Sequence, residues 1–249
     1  MVYFCGGEIM PRFFAEVSDE NNIILTGSNA HHIGRSLRMK PGEAITVCCK
    51  GYDYNCTISS FTEDSVSLEL VSKERCASEP SVEVTLFQAV PKLDKLELII
   101  QKTVELGVTR IVPVLTRRCI SRPSEKDFSK KLARLNKIAE EAAKQSGRGM
   151  IPEVTPIISC KEAAEEMKKL DCSVILYEEE GGCSFGEIDF TGVRSCGLFI
   201  GSEGGFDPEE VQLAAEAGAR RVWLGKRILR CETAPITAMS ILMFLTNNM

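Results

Sequence analysis

The stretch VEVTLFQAVPKLDKLELIIQKTVELGVTRIVPVL, residues 82–115, decides the fold class. Residues 82–90 read as a strand. Residues 92–107 read as a helix, because Leu93, Leu96, Ile99/Ile100 and Thr103/Val104 recur at spacings of three and four on one face and Gly107 supplies the stop. Residues 108–115 read as a second strand. The same grammar continues downstream. A long helix runs from about Phe128 to Gln145, and CKEAAEEMKKL (160–170) is a short one. CSVILYEE (172–179) and SCGLFIG (195–201) are strands. DPEEVQLAAEAG (207–218) is a helix with Asp207 at its N-cap and Pro208 at its first position. RRVWLG (220–225) is a strand, and Thr233–Leu245 is the closing helix, capped by Thr233 with Pro235 in its first turn. Strands alternating with helices predict an α/β domain built on a parallel sheet covered on both faces.

Upstream, residues 10–75 predict a small β-rich unit. NIILTG (22–27), EAITVCCK (43–50), YNCTISSF (54–61) and SVSLELVSK (65–73) are short β-branched or alternating runs parted by Gly, Asp and Asn. One helical insert, SNAHHIGRSLR (28–38), starts at Ser28 as N-cap. RCASEPS (75–81) interrupts the pattern at Pro80, which sets the expected domains at 10–75 and 82–249.

The composition of the 249 residues is that of an ordinary globular chain, 44% hydrophobic and 26% charged. No run approaches the roughly 18 uninterrupted apolar residues of a membrane span. The start, MVYFCGGEIMPRFF, lacks the basic segment and long apolar core of a signal peptide, and Met10 could serve as initiator. A cytoplasmic protein is therefore expected. The 11 cysteines include no C-x-x-C, and the only histidines are His31 and His32. Neither a zinc site nor a disulfide framework is expected from that spacing. The adjacent Cys48 and Cys49 point to opposite faces if they lie on a strand.

Net charge is −5, so no overall basic field announces nucleic acid. Its distribution is more informative. Arg117 to Arg148 carries a local +6, which leaves −11 on the remainder. Ser28 to Lys40 holds three basic residues, two histidines and no acid. Two basic islands on an acidic chain fit a localised polyanion site. The Arg117–Arg148 island fits equally well a solvated helix face laced by pairs such as Lys137–Glu141 and Glu140–Lys144.

In an open parallel sheet, ligands bind beyond the carboxyl ends of the strands. Three such ends are unusual here: LYEEE, closing on Glu178 to Glu180; IGSEGGF (200–206); and LGKRILRCETAP (224–235). The glycines Gly201, Gly204 and Gly205 allow positive φ and close approach of a ligand to backbone. Their spacing matches neither phosphate-loop pattern, and Glu203 would repel phosphates. A cationic or hydroxyl-bearing ligand suits that carboxylate, although a plain strand-to-helix turn explains the glycines as well. Ile228 and Leu229 are apolar in a loop. They either wall a pocket for a flat ring or plug the core. Together the three loops suit a small, partly cationic adenosine compound.

MPRFF, HHIGRSLRMKPGE, PKLDKLELIIQKTVELGV, EEAAKQSGR, FIGSEGGFDPEE and LGKRILRCETAP resemble, in order and spacing, the bacterial ribosomal small-subunit methyltransferase E family of the SPOUT superfamily. The resemblance runs from about Met10 to the C-terminus. It departs at Ser202, where the family usually has proline, and at Cys231, where threonine is common. The resemblance implies a deep trefoil knot in a C-terminal SPOUT-type parallel sheet, an N-terminal PUA-like RNA-binding β-barrel, and a homodimer joined largely through the C-terminal helix. It implies methylation of N3 of a uridine in 16S ribosomal RNA, uridine 1498 in the family, as free RNA or in the assembled small subunit. The donor implied is S-adenosylmethionine, with no metal and no membrane. The donor would be held by Leu176, Tyr177, Glu178, Gly201, Ser202, Glu203, Gly204, Gly205, Leu224, Gly225, Ile228, Leu229 and Arg230. The adenine would lie against Ile228 and Leu229. Arg12, Arg35, Arg38, Lys40, Arg117, Gln145 and Arg148 would meet RNA. Uridine N3–H is a weak acid, so a base or a stabiliser of the anion is required. Glu203 and Glu232 are candidate acceptors, Arg230 and Arg148 candidate cations. Lys102 is placed in the cleft by the resemblance, and otherwise pairs with Glu105 on the helix surface.

Overall fold

The structure, a computed structural model, describes residues 10–178 and 182–249, and of Leu93 and Asp94 only the backbone. Glu179 and Glu180, expected at the first strand end, lie outside the described residues, as do the first nine. The chain divides into two compact units. The first holds residues up to Glu79 together with Gly147–Met150, and the second holds Pro80–Ser146 and Ile151–Met249. The return of 147–150 to the first unit has no counterpart in the expected domain of 82–249.

In the first unit, β1 (Arg12–Phe14), β2 (Ile23–Thr26), β3 (Ala44–Cys49), β4 (Tyr52–Phe61) and β5 (Ser65–Arg75) form one sheet in the order β1-β3-β4-β5-β2. Only the β1–β3 pair is parallel. The alternation in β2 puts Ile23 and Leu25 inside, where they meet Ile33, Ile45, Val47 and Ile58. Cys48 and Cys49 are both buried, since β3 is covered on both faces. Between β2 and β3 a short helix, α1 (Gly27–His31), widens over His32–Ser36, where the Leu37 N–H reaches back five residues to the His32 carbonyl at 2.9 Å. Ser28 is not its N-cap. The helix begins already at Gly27, Thr26 stands at the cap without a side-chain bond, and Ser28 falls inside.

The second unit is a seven-stranded, wholly parallel sheet. Its elements are β6 (Glu83–Ala89), α2 (Leu93–Glu105), β7 (Arg110–Leu115), α3 (Glu125–Gln145), β8 (Glu153–Val154), β9 (Ile158–Ser159), α4 (Cys160–Met167), β10 (Cys172–Leu176), β11 (Ser195–Ile200), α5 (Pro208–Glu216), β12 (Arg220–Val222) and α6 (Thr233–Leu245). The order is β12-β10-β11-β6-β7-β8, with β9 also on β7. The chain therefore crosses from β9 past β6 to lay down β10, and β11 then fills the gap between them. Both faces are covered. Phe87, Val112, Ile175 and Phe199 pack with Met167, Phe206 and Val211 on one side, while α2 packs with α3 and α6.

Helix ends follow local chemistry. Asp207 caps α5, accepting from the Glu209 N–H, with Glu210 closing the capping box. Ser159 and Glu162 do the same for α4. Ser124 caps α3, which starts at Glu125, three residues before the expected Phe128. Thr233 does not cap α6. It is the first helical residue, and Glu232, already in helical conformation, precedes it. The strand expected over 220–225 ends at Val222. No described helix is long and apolar enough to cross a membrane. Among the described residues no metal-binding cluster exists, and ten cysteines are free thiols.

Arg148, expected at the RNA or the reaction, is instead part of the first unit's interior. It is 2% exposed, and its guanidinium donates to both oxygens of Glu79, at 2.9 Å and 2.8 Å. Glu79 also accepts from the Gly149 and Met150 N–H groups. This is a fixed internal tether. Removing one partner of such a pair leaves the other charge buried. Arg148→Ala is accordingly expected to cost about 3–5 kcal/mol of stability in urea unfolding. A loss below about 1 kcal/mol would contradict the tether, since that is the range of an exposed pair.

Candidate functional site

Because the sheet is parallel, β10, β11 and β12 all end on the same side, and the chain after each of them walls one cavity of about 550 Å³. Leu176, Tyr177 and Glu178 come from the end of β10. Gly201, Ser202, Glu203, Gly205 and Phe206 follow β11. Trp223 to Leu229 follow β12. Leu224, Gly225, Ile228 and Leu229 are thus brought together with the β10 and β11 loops as the sequence indicated. Gly182, Ile200, Phe206, Val222, Trp223, Lys226, Arg227, Cys231 and Ala234 also line the cavity and were not among the expected donor-binding residues. Several of these are buried residues at strand ends, whose sequence signal is that of core.

The glycine loop is shaped by close approaches. Gly205 has φ of +67°, a left-handed backbone that favours glycine, and a Cβ there would stand 2.9 Å from Glu178 Oε1, so the Glu178 carboxylate would have to swing aside to admit one. Gly204 serves a different neighbour and does not line the cavity. A Cβ on it would meet Arg118 Cβ and the Arg118 carbonyl at 3.0 Å. Ser202 is 6% exposed and donates to that same carbonyl at 3.2 Å. The hydroxyl thereby ties the glycine loop to the segment after β7.

Beside the cavity, Lys95 from the first turn of α2 holds two carboxylates. Its ammonium lies 3.0 Å from Glu232 and 3.3 Å from Glu203. Glu203 Oε1 also accepts from the Lys92 N–H at 3.1 Å, while its Oε2 is buried without a hydrogen bond. Burial pushes both carboxyls up, but hydrogen bonds from backbone and Lys95 outweigh it and hold both below the ordinary 4.5. The Glu232 carboxylate correspondingly raises Lys95. Cys231, between them, is pushed up to about 12 by burial and by its bond to Glu232, so it stays a thiol. Lys95 was not anticipated. Lys102 was, and it pairs with Glu105 at 2.8 Å on α2 and does not line the cavity. Lys95 and Lys102 are seven residues apart, two helical turns, so the helical pattern alone does not choose between them.

The side chain of Arg230 is 82% exposed, 4.0 Å from Glu232, and does not line the cavity. Ile228 is 86% exposed, which rules out a plug in the core. Arg117 is bound to Asp207 at 3.1 Å and Glu209 at 2.6 Å at the head of α5. Gln145 is exposed at the end of α3. In the first unit Arg12 is clamped by both oxygens of Asp53, whereas Arg35, Arg38 and Lys40 are exposed around the helical insert.

Residues 78–243 match the RNA methyltransferase domain family, and residues 25–71 the RNA methyltransferase PUA domain family. The ribosomal RNA small subunit methyltransferase E of Bacillus subtilis (strain 168) is 34% identical over 95% of this chain and 97% of its own length. That of Mesomycoplasma hyopneumoniae (strain 232) is 34% identical over 91% and 96%. The crystal structure of the Neisseria gonorrhoeae enzyme of the same name, bound to S-adenosylmethionine, superposes with a TM-score of 0.81 at 34% identity, covering 95% of this chain and 98% of that one. The parallel sheet with its strand-end cavity, the separate PUA-like unit and these full-length similarities together make the chain a member of the ribosomal RNA small subunit methyltransferase E family.

Proposed function

We propose that the chain methylates N3 of a uridine in 16S ribosomal RNA, uridine 1498 in the family, with S-adenosylmethionine as donor. It would act in the cytoplasm as a homodimer with a knotted C-terminal sheet. The observation that carries this reading is the cavity flanked by Glu203 and Glu232 with Lys95 between them. The residues fit the donor. The volume of about 550 Å³ suits a ligand of that size. The orphaned Glu203 Oε2 offers an acceptor to a cationic or hydroxyl group. The glycine turn leaves backbone bare where a Cβ would intrude. Glu178, Gly201, Gly205 and Leu224 to Leu229 would hold the donor, with Ile228 and Leu229 against its adenine. When bound, it supplies an electrophilic methyl group on a sulfonium.

The remaining work falls to the chain. A catalytic base needs a pKa near the working pH. Glu203 and Glu232 lie below the usual carboxylate range, so they accept protons poorly. Their role in this reading is to fix negative charge beside a cationic ligand. Arg230 is then the group that stabilises the uridine anion, with Glu232 limiting its reach. Exposed Arg35, Arg38 and Lys40, with Gln145 and Arg117, would meet phosphates. Dimerisation is supported by α6, an apolar helix on which Phe244 remains 71% exposed.

Primer extension on 16S RNA from a deletion strain tests the target, because methylated N3 blocks base pairing and stops the polymerase. Adding the protein should restore the stop, and a template still read through would reject this activity in favour of another RNA target. Calorimetry tests the donor. S-adenosylmethionine should bind, and Gly205→Ala should weaken it at least tenfold, about 1.4 kcal/mol. Absence of binding to the unsubstituted chain at millimolar ligand would favour a non-catalytic RNA-binding protein.

Lys95→Met should lower turnover about 100-fold, since preorganised charge is worth that much at a reacting centre. Both carboxyls should titrate higher without the ammonium, so the acid limb of the rate profile should move up in pH. The same sign governs stability. Groups depressed on folding contribute fully above the ordinary 4.5 and lose that contribution as pH falls through their folded values. The variant should therefore unfold at higher pH on acid titration. A rate profile and an acid midpoint both unmoved would show that Lys95 does not set the charge of the site.

A further inference from the structure

Two cysteines outside the cavity face each other across neighbouring strands. Cys172 opens β10, Cys196 is the second residue of β11, and the two are in-register partners in the parallel pair. Partners in register project to the same face, and adjacent strands lie about 4.8 Å apart. That spacing falls within the roughly 4.4–6.8 Å between Cα atoms that a disulfide spans. The strand starts are clamped one residue earlier. Asp171 Oδ2 accepts from the Arg194 N–H at 3.0 Å, from the Ser195 N–H at 2.9 Å and from the Ser195 hydroxyl at 3.0 Å. The Asp171 N–H donates to Ser195 Oγ at 3.0 Å. The thiols therefore cannot slide past each other.

The pair is also chemically unequal. Cys196 is fully buried and Cys172 half-buried. The hydrogen bond from Cys196, against burial and helped by nearby Arg220, holds the Cys172 thiol down at about 7. The hydrogen bond with Cys172, and then burial, raise Cys196. Cys172 is thus the sulfur poised to attack, and Cys196 is its in-register neighbour placed to resolve.

We infer that Cys172 and Cys196 form a dithiol site that low-molecular-weight disulfides oxidise to an intramolecular disulfide. The Cys172 thiolate attacks one sulfur of glutathione disulfide. That S–S bond breaks, one glutathione thiolate leaves, and a mixed disulfide forms on Cys172. Cys196 then attacks the Cys172 sulfur, breaking the mixed disulfide, and its proton passes to the second glutathione thiolate as that leaves. Two protein thiols are oxidised and one glutathione disulfide is reduced to two glutathiones. A bridge at the short end of the allowed spacing is strained, so it reopens readily under reducing conditions.

The test is peptide mapping of the folded, full-length protein after treatment with glutathione disulfide, followed by dithiothreitol. The expected product is a Cys172–Cys196 cross-linked peptide two hydrogens lighter than the free pair and restored by the reductant. Its formation rate should climb as pH rises through about 7. Cys196→Ser should stop at a glutathione adduct on Cys172. Cys172→Ser should react at least tenfold more slowly and give no bridge. Both variants lie at the opposite strand ends from the cavity, and thermal melting checks that they fold. A bridge mapped to another pair, such as Cys48–Cys76, would overturn the inference. So would modification of Cys172 and Cys196 only after the protein is unfolded.

Discussion

One lysine ammonium between two carboxylates holds together the site of this protein. Lys95 joins three pieces of chain that are far apart in sequence: the first turn of α2, the glycine loop after β11 and the entry to α6. Two partly buried carboxylates so close would repel each other and resist desolvation without that cation. With it, both stay ionised and two of their oxygens are fixed. The fourth element is the Lys92 N–H, which fastens Glu203 to the start of the same helix. Glu203 Oε2 is left buried without a hydrogen bond. A buried acceptor without a donor is costly in a fold and useful in a site, because a ligand that supplies the donor recovers that cost.

The cluster can form only because the sheet brings its parts to one end. β11 lies between β6 and β10, so the loop after it emerges beside the start of α2 on one side and the end of β10 on the other. The glycines divide the consequences between them. Gly205 yields to Glu178 from β10, and Gly204 yields to Arg118 from the segment after β7. Ser202 then ties the loop to the same Arg118 carbonyl. The β11 loop is thereby gripped from both sides before any side chain reaches the cavity.

The sheet and its order of elements were legible because each rests on local pattern: the spacing of Leu96, Ile99, Ile100 and Val104 on α2, the stop at Gly107, the Asp207–Pro208 start of α5. The loops of the cavity were legible through their glycines and their apolar residues in exposed chain. Lys95 was not, since an ion pair between residues more than a hundred positions apart leaves no periodic trace. Arg148 misled for the same reason. Its partner Glu79 is 69 positions away, and a basic residue at a helix end reads as solvent-facing until that partner is known. β1, β8 and β9 have two or three residues each, too few to display a period. Thr233 looked like a cap because hydroxyls favour that position, yet Glu232 is held in helical conformation, its carboxylate bound to Lys95.

The loop after β12 explains why a chain would keep a costly arrangement. Ile228 is 86% exposed, while its neighbour Leu229 is partly buried and both line the cavity. Exposed apolar surface stabilises nothing by itself. Burying an isoleucine side chain against a flat ring would gain about 1.5–3 kcal/mol, less the entropy of ordering the loop. The carboxylates and the apolar wall therefore make separate demands on a ligand. On the proposed reading Glu203 would select positive charge or a hydroxyl, and Ile228 a flat apolar face. An adenosine sulfonium would meet both, whereas a simple nucleotide would meet only the second.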